Sequence, residues 1–146
     1  MSSTSDFLTV TEKEQIVAAI AEAELKTIGE IRIHLENRCW IDAYQRAKDV
    51  FLQLGIDKTE KHSGILIYVA VKSQKAAIVG DSGINTKVPD GFWTNTLEQM
   101  LSRFKANKAG EGLIGAVNEC GSVLAEHFPK SENNPDELSN EISFGA

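Results

Sequence analysis

The chain has 146 residues, 42% of them apolar and 25% charged. That is the size and composition of one globular domain, able to bury about two-thirds of its unfolded surface without a disulfide or metal staple. Fifteen basic residues stand against 21 acidic ones, and the net charge of −6 speaks against a basic surface built for nucleic acid or anionic lipid.

The first ten residues, MSSTSDFLTV, lack the basic start and apolar stretch of a secretory leader. A capping-box pattern, Thr11-x-x-Glu14, predicts a helix start. Ile16, Val17, Ile20, Ala21, Leu25 and Ile28 follow at helical spacing, and Gly29 is the expected stop. Ile31, Ile33 and Leu35 then alternate with Arg32, His34 and Glu36, a strand with one buried and one solvated face. Asp42 is placed to cap a second helix carrying Ala43, Ala47, Val50, Phe51 and Leu54, with Gly55 at its end.

After a polar loop over Asp57–Ser63, the run Ile65–Val71 suits a central strand covered on both faces. Its seven residues fall far short of the roughly 20 that span a membrane, so a cytoplasmic chain without direct membrane insertion is expected. Four polar residues, Lys72–Lys75, separate it from Ala76–Val79, which reads as an antiparallel hairpin. Gly80–Pro89 is expected to be loop, and Asp90 to cap a third helix with Trp93, Leu97, Met100, Leu101 and Phe104 inside. A break over Lys105–Glu111 precedes a fourth helix, which buries Leu113, Val117, Cys120, Leu124 and Phe128 and stops before Pro129. The expected fold is therefore α/β: a three-layer α/β/α sandwich over residues 1–129, with a small mixed sheet containing one antiparallel hairpin. Residues 130–146 read as a mobile acidic tail, with Lys130 against Glu132, Asp136, Glu137 and Glu141, a net of −3.

Chemistry-bearing motifs are sparse. Walker, dinucleotide, nucleophile-elbow and zinc spacings are missing, and Gln45 stands where a Cys39-x5-Arg phosphate loop needs arginine. Gly80-Asp81-Ser82-Gly83 follows a strand and can either hold a hard cation or simply form a tight turn. Glu30, Arg32, His34 and Glu36 share one strand face, where a histidine between carboxylates suits acid–base chemistry, although such a row is more often just the solvated face of a strand. Asp90 is accounted for by a helix cap, and His127 by the negative end of a helix.

Several of these stretches together resemble the TPM domain family. Gly29-Glu30-Ile31-Arg32-Ile33-His34, Gly64–Val71 and Val79-Gly80-Asp81-Ser82-Gly83-Ile84 occur in the family's order. Trp93, Phe104, Glu111-Gly112-Leu113 and His127-Phe128-Pro129 continue it, so that the resemblance spans roughly residues 7–130. It implies an α/β/α sandwich whose strand-end cleft takes a divalent cation such as calcium in some members, with an acid phosphatase among the plant ones. The chain is most similar to short soluble bacterial members that are encoded beside membrane-anchored TPM and LemA-type proteins, its implied partners. Where longer members carry a glutamate after the hairpin, this chain has Asn85, a neutral ligand beside the charge of Asp81.

Two functional readings follow. One is a non-enzymatic, cation-binding interaction module associated with membrane-protein complexes, its acidic tail available for docking. The other is a calcium- or magnesium-assisted phosphomonoester hydrolase, with Asp81, Asp90 and Glu30 as metal ligands and His34 as base.

Overall fold

Thr9 starts the first long helix, two positions before the predicted Thr11. In the computed structural model, which describes residues 3–130 and 142–145, α1 is a single turn over Thr4–Phe7 and α2 runs from Val10 to Glu24. Thr9 Oγ1 accepts from Glu12 N at 3.0 Å, while Glu12 Oε1 accepts from Thr9 N at 2.8 Å. The sequence holds two overlapping Thr-x-x-Glu patterns, and the reciprocal bonds form at the earlier one. The helix also ends before Gly29, and the Glu24 carboxylate turns to accept from Ile31 N at 2.9 Å.

Strand β1 covers Glu30–Glu36, and α3 covers Ala43–Gln53. Asp42 caps α3 as expected, accepting from Gln45 N at 3.1 Å. Gly55 follows at φ +72, a left-handed conformation that glycine enters without steric cost. At the entry to the predicted polar loop, Ile56–Lys58 forms a 3-10 turn. Strands β2 (Gly64–Ala70) and β3 (Lys75–Gly80) then form the predicted antiparallel hairpin.

The stretch after β3 is less irregular than expected. Asp81 caps a short helix, α4 (Ser82–Asn85), accepting from Ser82 N at 2.8 Å. Gly91 at φ +82, rather than Asp90, precedes α5 (Phe92–Lys105). Helix α6 (Ala109–His127) absorbs Gly110-Glu111-Gly112, the predicted break. Gly112 serves packing there: a Cβ at this position would lie 3.0 Å from Met100 O of α5.

The sheet order is β3-β2-β1-β4, where β4 is Ser143–Phe144. β1 is parallel to both neighbours, β2 and β4. The predicted acidic tail thus returns at its end to the sheet edge, while residues 131–141 and 146 lie outside the described residues. α2, α5 and α6 cover one face through a core of Ile16, Ile20, Ile33, Ile67, Leu113 and Leu124. α3 covers the other through Ala47, Val50 and Phe51 over Leu66, Tyr68 and Val79. This is the expected three-layer sandwich. Cys39 and Cys120 are both free and buried, and burial pushes the Cys120 thiol up to about 12, leaving it unreactive. Among the described residues no helix is long and apolar enough to cross a membrane.

The polar face of β1 is buried, contrary to the solvated face that alternation predicted. Glu30, His34 and Glu36 are all within a few per cent of full burial. Arg46 from α3, Tyr68 from β2 and Ser143 from β4 close over the last two of them.

Candidate functional site

The carboxyl ends of parallel strands are where open α/β sheets gather their ligand sites. At that end of β1 the chain leaves Glu36 and crosses Asn37–Ile41 before α3. Hydrogen bonds pin this loop at Asn37, Cys39 and Ile41. Cys39 N donates to Ser73 Oγ at 2.9 Å, and Cys39 Sγ donates to Ile41 O at 3.1 Å. Lys75 Nζ donates to Cys39 O at 3.1 Å and to Ile41 O at 3.0 Å.

The pinned loop carries an exposed aromatic group. Trp40 is 83% exposed, and Ile41 and Tyr44 are exposed beside it. Arg38 lies 5.7 Å from the Trp40 ring, and Lys48 lies 5.2 Å from the Tyr44 ring. Trp, Tyr and Arg are the residues that dominate protein–protein binding energy. At the same end of the sheet, a cleft of about 410 Å³ opens beside Phe7 and Phe104, with Asp6, Glu12, Lys75 and Lys105 among its lining. Lys75 therefore joins the cleft to the loop.

Beneath the loop sits a buried polar network centred on Glu36. Arg46 grips the carboxylate through Nε and Nη2, both at 2.9 Å, and Tyr68 donates its hydroxyl to Oε2. His34 Nε2 lies 3.4 Å from Glu36 Oε1, and His34 Nδ1 lies 2.7 Å from Ser143 Oγ. Burial by itself raises the Glu36 carboxyl, but the bonds from Arg46 and Tyr68 outweigh it and hold the group below its ordinary range. Burial lowers His34 below the ordinary histidine value, against the opposing pull of Glu36. Burial and the bond to Glu36 push the Tyr68 phenol far up, so it stays a donor.

These shifts predict an acid-sensitive fold. The unfolded chain protonates His34 near pH 6.5 while the folded chain resists, so stability falls as the pH drops below that value. Glu36 adds a second loss below about pH 4.5, because the unfolded chain again takes up the proton first. The charged groups acting on His34 are Glu36, Arg46 and Arg32. Urea midpoints at pH 7.5, 6.0 and 5.0 test this. His34→Gln is expected to flatten the first decline, and parallel profiles for the two proteins would remove His34 as its source.

The sequence-selected residues do not assemble into one centre. His34 sits four residues along β1 from Glu30, about 13 Å at strand rise. Glu30 pairs with Gly64, and Asp81 N donates to Gly64 O at 2.9 Å from the other side. Glu30 and Asp81 are thus two strand spacings apart, about 10 Å at the backbone. Ile56 packs over the bare Gly64 between them, where its Cγ2 lies 2.5 Å from a Cβ built on that glycine. Asp90 is exposed on the turn before α5. Asp81 is already engaged, through Oδ1 by Ser82 N and through Oδ2 by His62 Nδ1 at 3.3 Å. Asn85 Oδ1 accepts from Trp93 Nε1 at 2.7 Å. Among the described residues no three His, Cys, Asp or Glu side chains converge on a metal position. The three acidic candidates therefore do not fit a shared cation cage.

The model of the TPM domain matches residues 1–123. The chain belongs to the TPM domain family. The NMR structure of the BA42 protein from the psychrophilic bacterium Bizionia argentinensis is 44% identical, covers 99% of this chain and all of its own, and superposes with a TM-score of 0.89. Two further solution structures share the fold at low identity. The N-terminal domain of a P. gingivalis protein has a TM-score of 0.71 at 17% identity, over 88% of this chain and 85% of its own. That of the cg2496 protein from Corynebacterium glutamicum has 0.65 at 11%, over 83% and 76%. No curated protein matches the chain.

Sequence reasoning passed over Trp40. The available signal was an apolar pair, Trp40-Ile41, lying outside both the strand alternation and the helix stripe on either side of it.

Proposed function

We propose that this TPM-domain protein is a non-enzymatic interaction module that docks on a membrane-anchored protein of TPM or LemA type through its Asn37–Ile41 loop and the neighbouring Tyr44 at the start of α3. One observation carries the reading: Trp40 is 83% exposed on a loop whose backbone is pinned at Cys39 and Ile41. A loop held in place before binding loses little conformational freedom when a partner covers it. An aromatic anchor of this kind contributes about 2 kcal/mol or more at an interface centre. In this reading the partner supplies the membrane association and the chain works from the cytoplasmic side.

The test is a binding titration of the full chain against a purified LemA-type protein in nanodiscs. Trp40→Ala is expected to weaken binding at least tenfold, because 1.4 kcal/mol corresponds to one decade. Undiminished affinity in the folded variant would end the assignment to this loop.

The alternative, a calcium- or magnesium-assisted phosphomonoester hydrolase, draws on the Asp81–His62 pair at 3.3 Å. Glu30 and Asp90 stand apart from that pair, so in this reading Asp81 and His62 are the groups that would meet a cation and the phosphate it polarises. Cation-dependent turnover of p-nitrophenyl phosphate, lost in Asp81→Ala, would favour this reading over docking.

A further inference from the structure

The outer edge of β1 is guarded along part of its length and built to receive a strand along the rest. Near its start, the Glu24 carboxylate takes the Ile31 N–H at 2.9 Å, which denies that position to a pairing chain. Further along, His34 and Leu35 pair with Ser143 and Phe144. Three different recognition features meet the incoming residues. His34, only 6% exposed, directs Nδ1 at the Ser143 hydroxyl at 2.7 Å. Lys13 lies 5.5 Å from the Phe144 ring on the opposite face. Leu35 O accepts from Gly145 N at 2.8 Å, and a Cβ on Gly145 would stand 2.8 Å from both Glu36 Oε1 and His34 Nε2. Both of those atoms belong to the hydrogen-bonded Glu36 network, so a side chain at this position must displace it and the slot favours glycine.

The occupant is held less firmly than the slot is built. Among the described residues two residue pairs join β4 to β1, and Phe144 remains 50% exposed. A short strand on a sheet edge is the arrangement that β-augmentation exploits, with main-chain bonds giving affinity and side-chain seats giving specificity.

We infer that this edge is a peptide-acceptor site for an extended segment of a partner protein carrying a hydroxyl residue, an aromatic residue and glycine in succession. Such a segment enters parallel to β1. The chain's own Ser143-Phe144-Gly145 fills the site as a built-in competitor, and a partner binds by displacing it. The inference stands independently of the Trp40 surface.

The experiment uses the full-length chain and a fluorescent peptide with the sequence of residues 141–146, Glu-Ile-Ser-Phe-Gly-Ala. Gly145→Val is expected to expel the chain's own strand and to bind the peptide at least tenfold more tightly than wild type. NMR shifts at His34, Leu35 and Lys13 should mark the site. Ser143→Ala, which removes the bond to His34 without adding bulk, is a second receptor expected to show a smaller gain of the same sign. A peptide with valine in place of its glycine should fail to bind either variant. Equal affinity for wild type and both variants, or equal binding of the valine peptide, would overturn the inference. Exchange of β4 between two wild-type copies, seen as a concentration-dependent dimer, would give the site to a second copy and overturn the partner assignment.

Discussion

Replacing Arg46 with methionine is expected to destabilise the fold by about 3 kcal/mol, read as a lowered urea midpoint with an unchanged slope. Glu36 is 3% exposed, and both Arg46 bonds to it are 2.9 Å long. Methionine fills much the same volume but leaves a buried carboxylate whose remaining partners, Tyr68 and His34, carry no full positive charge to offset it. Removing one member of a buried pair typically costs about 3–5 kcal/mol. Arg46 is partly exposed, so water reaches the site and the lower end applies. The double variant Glu36→Gln with Arg46→Met should recover at least half of the loss, since the neutral amide still accepts from Tyr68. A single variant within 1 kcal/mol of wild type would show that the pair is not what holds α3 to β1.

Gly83→Ala is expected to cost about 2–3 kcal/mol, the upper part of the range of about 1–3 kcal/mol for forcing extra volume into a packed site. Its Cβ would stand 2.1 Å from Lys61 O and 2.5 Å from His62 O. Both obstacles are backbone, and neither can swing away as a side chain would. His62 is itself held at φ +52, and its carbonyl accepts from Ile84 N at 3.2 Å. Displacement should therefore be confined to residues 61–64 and 81–85, measurable as amide shifts and faster hydrogen exchange there. Gly115→Ala in the middle of α6 is the matching control, because nothing lies within 4 Å of its Cβ. There alanine should be neutral or stabilising by up to about 1 kcal/mol through helix propensity. A Gly83→Ala variant as stable as that control would refute the close-packing argument.

The role of Gly83 also shows how far the sequence could be read. Gly80-Asp81-Ser82-Gly83 was open to both a ligand loop and a tight turn, and the structure makes Asp81 the cap of α4 and Gly83 the point where that helix meets the His62 backbone. The strands, the hairpin, the Asp42 cap and the layer order were legible because apolar periodicity is local. The burial of His34 and Glu36 was not, because what covers them comes from far along the chain. Arg46 lies one helix on, Tyr68 one strand on, and Ser143 beyond a polar stretch with no strand pattern of its own. Thr9 and Thr11 offer equivalent capping patterns, and only the three-dimensional entry to α2 separates them. Asp90 yields to Gly91 for a similar reason: the turn needs a positive φ, which outranks a capping side chain.

Sheet order has a consequence for how the chain acquires its shape. Three of the four strands, together with the helix across their outer face, come from residues 30–80, so their pairings close short loops. The β1–β4 pairing joins residues more than 100 positions apart for the return, among the described residues, of two residue pairs. Closing a long loop costs entropy that only a well-paid contact recovers early. The three-stranded unit should therefore form first and the fourth strand last. On the same grounds the fourth strand should be the first element to open, with its amides exchanging at a free energy well below that of global unfolding.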